Sequence, residues 1–373
     1  MKVIRMAPRR RGKRGGPPAQ LLILLVTALL LSSCEELLFE EVPDEGPVSI
    51  FEQTWTFVDE EYSFFEFKGI DWDATYETYR PQVNNDMDEE ELFSLLADML
   101  YILRDGHVNL KSDFNRSRNW QWFLSAPPNY DYSVLERYYF TDGGEDTVGR
   151  SVQQLVGDAF ILMDFAGPAA GTTDDVGYIH YRSFGNPVRE KDMDYVIRRF
   201  SDHAGLIIDV RDNGGGQVGN AFTIANRLVD TKTAVARERI KIGPGHDEFS
   251  SLETIHLEPP EDKPTYTNRP VVVLTNQMSY SATNYLATMV AAVDNVTLMG
   301  RPTGGGGGTP AFTVLTNGWE LRVSTTQLFT LAGDNVEDGV APDYPLESTE
   351  AELAVGTDTI LETAREYLRG NWP

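Results

Sequence analysis

The chain predicts an α/β fold: a mostly parallel sheet covered by helices, with a small helical bundle ahead of it. From Val176 onward, short apolar runs alternate with amphipathic stretches, as at Val176 to Tyr181, Asp192 to Phe200, Gly205 to Val210, Asn220 to Val229 and Val271 to Leu274. Apolar strands without polar alternation are buried on both faces, and strand–helix–strand order makes them parallel. Between Val48 and Leu103, apolar residues recur at helical rather than strand spacing.

Taken in order, residues 1–33 read as an export segment. Seven Lys and Arg residues between Lys2 and Arg14 precede the apolar run Leu21 to Leu31, which is too short to span a bilayer. Leu31-Ser32-Ser33-Cys34 resembles the lipobox of bacterial lipoproteins, so Cys34 is expected to carry the lipid. The protein is then expected in a bacterial cell envelope, lipid-anchored on the periplasmic or surface side. Cys34 is also the sole cysteine, which excludes an internal disulfide. Loss of the segment takes the net charge from −25 to about −32. So acidic a surface repels phosphate backbones, and nucleic acid is excluded as a partner. About 340 mature residues suggest one large domain with an appendage.

Residues 34–47 form an acidic tether and 48–112 a helical bundle. Phe51, Trp55, Val58 and Tyr62 share one face, a second helix starts near Asp73, and the third opens on Asp88 and Glu91 at capping-box spacing. That helix runs into Gly106, a candidate helix stop, with His107 just beyond it. Residues 113–175 read as a β-rich connecting region, with strands at Val134 to Phe140 and Ala159 to Phe165; it is short for an inserted PDZ domain, and none is recognised. Residues 176–373 are the α/β core, closed by a helix over Thr349 to Leu368.

Two loops of the core can carry chemistry. Asp209-Val210-Arg211-Asp212-Asn213-Gly214-Gly215-Gly216 follows a strand, and its glycines let backbone N–H groups approach a ligand. No Gly-Lys-Ser/Thr follows, so it is not a phosphate loop. Ser279-Tyr280-Ser281-Ala282 lies between a strand and a helix, where Ser281 either caps the helix or presents a nucleophilic hydroxyl.

Six segments, Asp105-Gly106-His107, Val176-Gly177-Tyr178-Ile179, the glycine loop, Ser281-Ala282-Thr283-Asn284, Gly300-Arg301-Pro302-Thr303-Gly304-Gly305 and Glu337 to Asp343, stand in the order of a known family. Together they resemble the C-terminal processing (tail-specific) and tricorn-core serine peptidases, over roughly residues 48 to 368. The resemblance implies a crotonase-like (ClpP/crotonase) ββα core, peptide-bond hydrolysis by Ser281 with Ser279 as fallback, and no metal or organic cofactor. The tail-specific base, a lysine about 25 residues after the serine, is absent: Gly304 to Gly308 fills that segment, and the last lysine is Lys263. The tricorn-type branch implies His107 as base and Glu337 as its carboxylate, with Asp338 and Asp334 close enough to exchange with it. Gly215, Gly216 and Ala282 are the expected oxyanion donors, supported by Asp209 and Asn213. His180, His203, His246 and His256 lack a motif and read as structural or surface residues. Peptides or unfolded proteins are the expected partners; oligomeric state is not legible. The rival reading is an inactive crotonase-fold lipoprotein holding a peptide or apolar ligand. An acyl-CoA enzyme is disfavoured by the export segment.

Overall fold

The computed structural model describes residues 44–120, 129–139, 153–166 and 173–371. The export segment, Cys34, the tether up to residue 43 and much of the connecting region lie outside them.

Four helices come first: α1 (Pro47–Glu61), α2 (Phe65–Lys68), α3 (Trp72–Tyr79) and α4 (Glu89–Tyr101). Their starts follow local chemistry. Asp71 accepts from the Ala74 N–H at 2.9 Å, and Asp88 and Glu91 form the expected reciprocal capping box. Gly106 does not stop α4. That helix ends at Tyr101, and the positive φ falls on Arg104 (47°).

The strands in chain order are β1 (Asn109–Lys111), β2 (Arg116–Arg118), β3 (Gln153–Val156), β4 (Phe160–Ala166), β5 (Thr173–Tyr181), β6 (Gly205–Asp209), β7 (Thr233–Ile240), β8 (Glu253–Leu257), β9 (Val271–Thr275), β10 (Val296–Gly300), β11 (Pro310–Val314), β12 (Glu320–Ser324), β13 (Thr326–Phe329) and β14 (Tyr344–Pro345). Later helices are α5 (Tyr132–Val134), α6 (Glu190–Phe200), α7 (Val218–Ala225), α8 (Ala282–Val290), α9 (Glu350–Ala354) and α10 (Thr359–Leu368).

The central sheet has the order β14-β10-β9-β6-β5-β4-β3. It is parallel from β14 to β5 and antiparallel from β5 to β3. Alternate residues serve opposite faces, as the strand period requires. Leu206, Ile208, Val271 and Val273 pack with Val196, Ile224 and Leu286, while Ile207, Val272 and Leu274 pack with Ile360, Leu361 and Ala364. Every residue of β6 and β9 is buried, which explains their unbroken apolar character.

The N-terminal helices do not make a core by themselves. Phe51, Leu96 and Met99 share theirs with Leu110, Leu321 and Val323 of a second sheet, ordered β11-β12-β1-β2. A third sheet, β13-β7-β8, completes the body.

Two element expectations change. Residues from Val134 to Tyr139 are helical, a turn of α5 running into a wider π-helical turn, rather than a strand; they bury Leu135 and Tyr139 on one side while Tyr138 stays exposed. The closing helix is two helices, interrupted at Gly356 (φ 88°) and restarted by Asp358, which accepts from the Leu361 N–H.

Candidate active site

Three adjacent parallel strands, β6, β9 and β10, deliver three loops to the same edge of the sheet, the place where open α/β sheets bind ligands. After β6 comes the glycine loop, after β9 the serine turn, after β10 the Gly304 to Gly308 run. Backbone bonds join them: Tyr280 N–H donates to Asn213 O at 3.1 Å, and Ser281 N–H to Gly305 O at 2.9 Å.

Ser281 sits at φ 60°, ψ −119°, a region that a non-glycine residue occupies only when its surroundings impose it, at roughly 1–3 kcal/mol. Its hydroxyl makes no capping bond to α8. Oγ instead lies 2.9 Å from His107 Nε2. The cap alternative is therefore excluded by the geometry. Ser279 is fully buried, and its hydroxyl donates to Val210 O at 2.8 Å and accepts from Asn276 N–H at 3.1 Å, so the fallback serine is structural.

His107 is presented by a turn. Val108 N–H donates to Asp105 O at 3.1 Å, and the Asp105 carboxylate accepts the His107 backbone N–H at 2.7 Å, which is how aspartate stabilises a turn. Burial is the main cause that pushes the imidazole down to about 4; Asp105 opposes this, and Arg322 and Lys68 add to it. The ring is therefore neutral at neutral pH. Among the described residues its Nδ1 has no hydrogen-bond partner, although the Gly308 backbone favours the protonated ring.

Glu337 does not orient His107. One carboxylate oxygen accepts from Lys68 Nζ at 2.9 Å, the other from Gly307 N–H at 2.9 Å. Both side chains of this ion pair are almost wholly buried, 5% exposed for Lys68 and 3% for Glu337. Burial pushes the Glu337 carboxyl up, Asp105 adds to that, and Lys68 counters it. For Lys68, burial works downward, but Asp105 and Glu337 outweigh it and hold the ammonium above its ordinary value. Asp105 acts on the pair by its charge alone; its second oxygen accepts from Ser324 Oγ at 2.9 Å.

One of the expected oxyanion donors is engaged elsewhere. Gly215 N–H is committed to the Asn213 side chain at 3.0 Å, so it is not a free donor. Gly215 remains indispensable for another reason: at φ 94°, its Cα is so near the serine that an added Cβ would stand 2.7 Å from Ser281 Cβ. Ala282 N–H opens α8 beside the Ser281 hydroxyl, and Gly216 lies on the same loop at φ 142°. The supports are firm. Fully buried Asn213 donates to Tyr181 O at 2.8 Å, and Arg211 joins Asp209 (2.6 Å) to Asp358 (2.8 Å), tying the glycine loop to α10.

The five-glycine run is shaped by what it threads. Gly306, at φ 74°, would place a Cβ 2.5 Å from the Tyr280 ring, and a Cβ on Gly305 would collide with the Glu337 carbonyl. Gly305→Ala is expected to lower the urea midpoint by the equivalent of at least ~2 kcal/mol, because both the left-handed φ and fixed backbone oppose it. Gly106 obeys the same logic: a Cβ there would stand 2.8 Å from Tyr280 Oη. A 590 Å³ cavity bounded by Arg104, Gly106, Tyr280, Gly304 and Glu337 lies on the carboxylate side; Ser281 does not line it.

The chain is similar to known proteins over most of its length. Residues 175–346 match the model of peptidase family S41, and residues 43–101 that of the tricorn protease C1 domain. A crystal structure of a candidate peptidase from Parabacteroides merdae is 35% identical, spans 87% of this chain and 97% of its own, and superposes with a TM-score of 0.77. The chain belongs to peptidase family S41. The carboxy-terminal processing protease CtpA of Bacillus subtilis is 25% identical over 176 residues, a match that spans 47% of this chain and 35% of that protein's length. Mature CPAF, at 12% identity over 88% of this chain and a TM-score of 0.64, shares the fold.

Within this S41 chain, the structure brings Ser281 and His107 together across 174 residues of sequence, and sets Glu337 beside Lys68 instead. Lys68 and the turn-forming role of Asp105 escape sequence reasoning. Lys68 lies on a one-turn helix without a motif, whereas Asp105 stood inside one and its place two residues before His107 is the signal for an aspartate turn. The other histidines stay away from the pair: His180 contacts Tyr130 Oη at 3.2 Å, and His246 pairs with Asp59 at 2.7 Å.

Proposed function

We propose that the chain is a serine peptidase in which Ser281 is the nucleophile and His107 the base. The observation that carries this reading is the 2.9 Å Ser281 Oγ–His107 Nε2 contact, made by a strained serine whose hydroxyl has no capping duty. A serine hydroxyl attacks only if a base removes its proton, and a neutral imidazole is suited to take it. Oγ adds to the scissile carbonyl while its proton passes to Nε2. The tetrahedral oxyanion is held by the N–H groups of Ala282 and Gly216, and the leaving amine takes the proton from His107. Water activated by the same imidazole then hydrolyses the acyl ester.

Asp105, rather than Glu337, supplies the charge that favours the imidazolium, since it is the carboxylate that raises the His107 pKa. Glu337 and Lys68 act behind it by fixing Gly307 and hence the run over which the serine turn is laid. The substrates are peptides or unfolded proteins of the cell envelope, cut internally or near a C-terminus, with the chain held by a lipid on Cys34.

A fluorophosphonate carrying a reporter group should attach to Ser281, located by peptide mass spectrometry. Its rate should follow the neutral imidazole. Because the His107 pKa is depressed to about 4, the labelling rate should rise as pH increases through about 4 and level off well below pH 6. A limb centred at the ordinary histidine value of about 6.5 would contradict that environment.

A further inference from the structure

The β11-β12-β1-β2 sheet has one covered and one open face. Leu110, Leu321 and Val323 point into the apolar core, so their strand neighbours point outward. The register sets those neighbours in two rows. Phe312, Arg322, Asn109 and Arg118 form one, and Val314, Glu320, Lys111 and Arg116 the other. Phe312 is 76% exposed and Val314 60%. A 450 Å³ cavity lies over this face.

Its charge runs against that of the molecule. In a chain of net charge −25, the cavity is lined by three arginines and one lysine against a single acid, Glu320. Glu320 is already engaged with Lys111 at 2.7 Å. Among the described residues no carboxylate pairs with Arg116, Arg118 or Arg322; Arg118 only lies over the Trp120 ring at 5.4 Å. Burial pulls the Arg322 guanidinium below its ordinary pKa; Tyr280 and Asp105 oppose this, and the like charge of Arg118 adds to it.

The face also adjoins the reacting pair. Asn109, the register partner of Arg322, is two residues past His107 and donates to the His107 carbonyl at 2.9 Å. Adjacent strands are about 4.8 Å apart and two residues along a strand span about 7 Å, so the first row is within about three residues of an extended peptide held at Ser281. The rows themselves are about 7 Å apart, the spacing of side chains i and i+2 on one side of such a peptide.

We propose that this face docks the acidic side chains of an extended peptide, with Arg322 and Arg118 taking one Asp or Glu and Arg116 the next but one. The inference rests on the peptidase reading and names the substrate class of that site. Two rows of cations suit two carboxylates, where a single free C-terminus would use one row.

The test compares peptides that differ only in an Asp-x-Asp or Asn-x-Asn segment, each with free and amidated C-termini, by fluorescence anisotropy on full-length Ser281→Ala protein, which needs no turnover. The acidic peptide should bind about tenfold or more tightly at low salt, lose that advantage in 0.5 M NaCl, and be indifferent to amidation. The Arg116→Gln/Arg118→Gln/Arg322→Gln protein should bind both peptides equally, with its urea midpoint reporting whether it is folded. On the Ser281 protein, kcat/KM should show the same preference. Equal binding of acidic and neutral peptides, or a preference that follows the free C-terminus, would overturn the proposal. Absent turnover with the binding preference intact would count against the peptidase reading alone.

Discussion

Ser281→Ala is expected to lower peptide hydrolysis by at least about 10⁴-fold while leaving the urea midpoint within about 1 kcal/mol of the parent. The loss is large because Oγ is the atom that bonds to the substrate, and nucleophile and base act as a unit, so removing either forfeits most of what the pair achieves. The fold is spared because Oγ makes no cap bond and, among the described residues, hydrogen-bonds only with His107. Ser279→Ala should behave in the opposite sense: its buried hydroxyl joins Val210 O to Asn276 N–H, so stability falls while acylation at Ser281 persists. A residual rate in Ser281→Ala near that of the parent would remove Ser281 from the chemistry.

Lys68→Met should be strongly destabilising, at about 3–5 kcal/mol, the usual range for breaking a buried ion pair. No discount for solvent applies, since neither partner is more than 5% exposed. The mutant leaves Glu337 buried beside Asp105 without its cation, and the Gly307 N–H that Glu337 holds loses a fixed acceptor. Lys68→Met/Glu337→Gln should recover most of the loss, because the uncompensated charge is then gone as well. The same single mutant has a kinetic signature. Lys68 depresses the His107 pKa, so its removal should move the acid limb of Ser281 labelling to higher pH. Urea denaturation of the two variants and a pH profile of the single one check both statements. A loss below about 1 kcal/mol would show that the pair is not the closed, dry contact described above.

The parts of this structure that depend on local chemistry were legible in the residues. The capping box at Asp88, the doubly buried strands β6 and β9, and the order of the loops around Ser281 each follow from a short stretch of chain. What was hidden depends on partners far away in sequence. Strands β1 and β2 are three residues long, too short to display alternation, and β1 finds its other neighbour in β12, some 210 residues later. Lys68 acquires meaning only when Glu337 arrives beside it, 269 residues on. The motif set placed Glu337 near the site but could not say which group its two oxygens would meet, and Lys68 together with the Gly307 N–H claims both. Gly215 shows the same limit: its flexibility was readable, whereas the diversion of its N–H to Asn213 depends on how the loop closes.

The central claim is that His107 activates Ser281, and its most direct test is the second-order rate at which a fluorophosphonate labels Ser281 in the parent and in folded His107→Gln protein at pH 7. The account predicts a single adduct on Ser281 forming at least about 10³-fold more slowly in the variant. Equal rates, or an adduct on another residue, would contradict it and favour a crotonase-fold protein that holds its ligand without cleaving it.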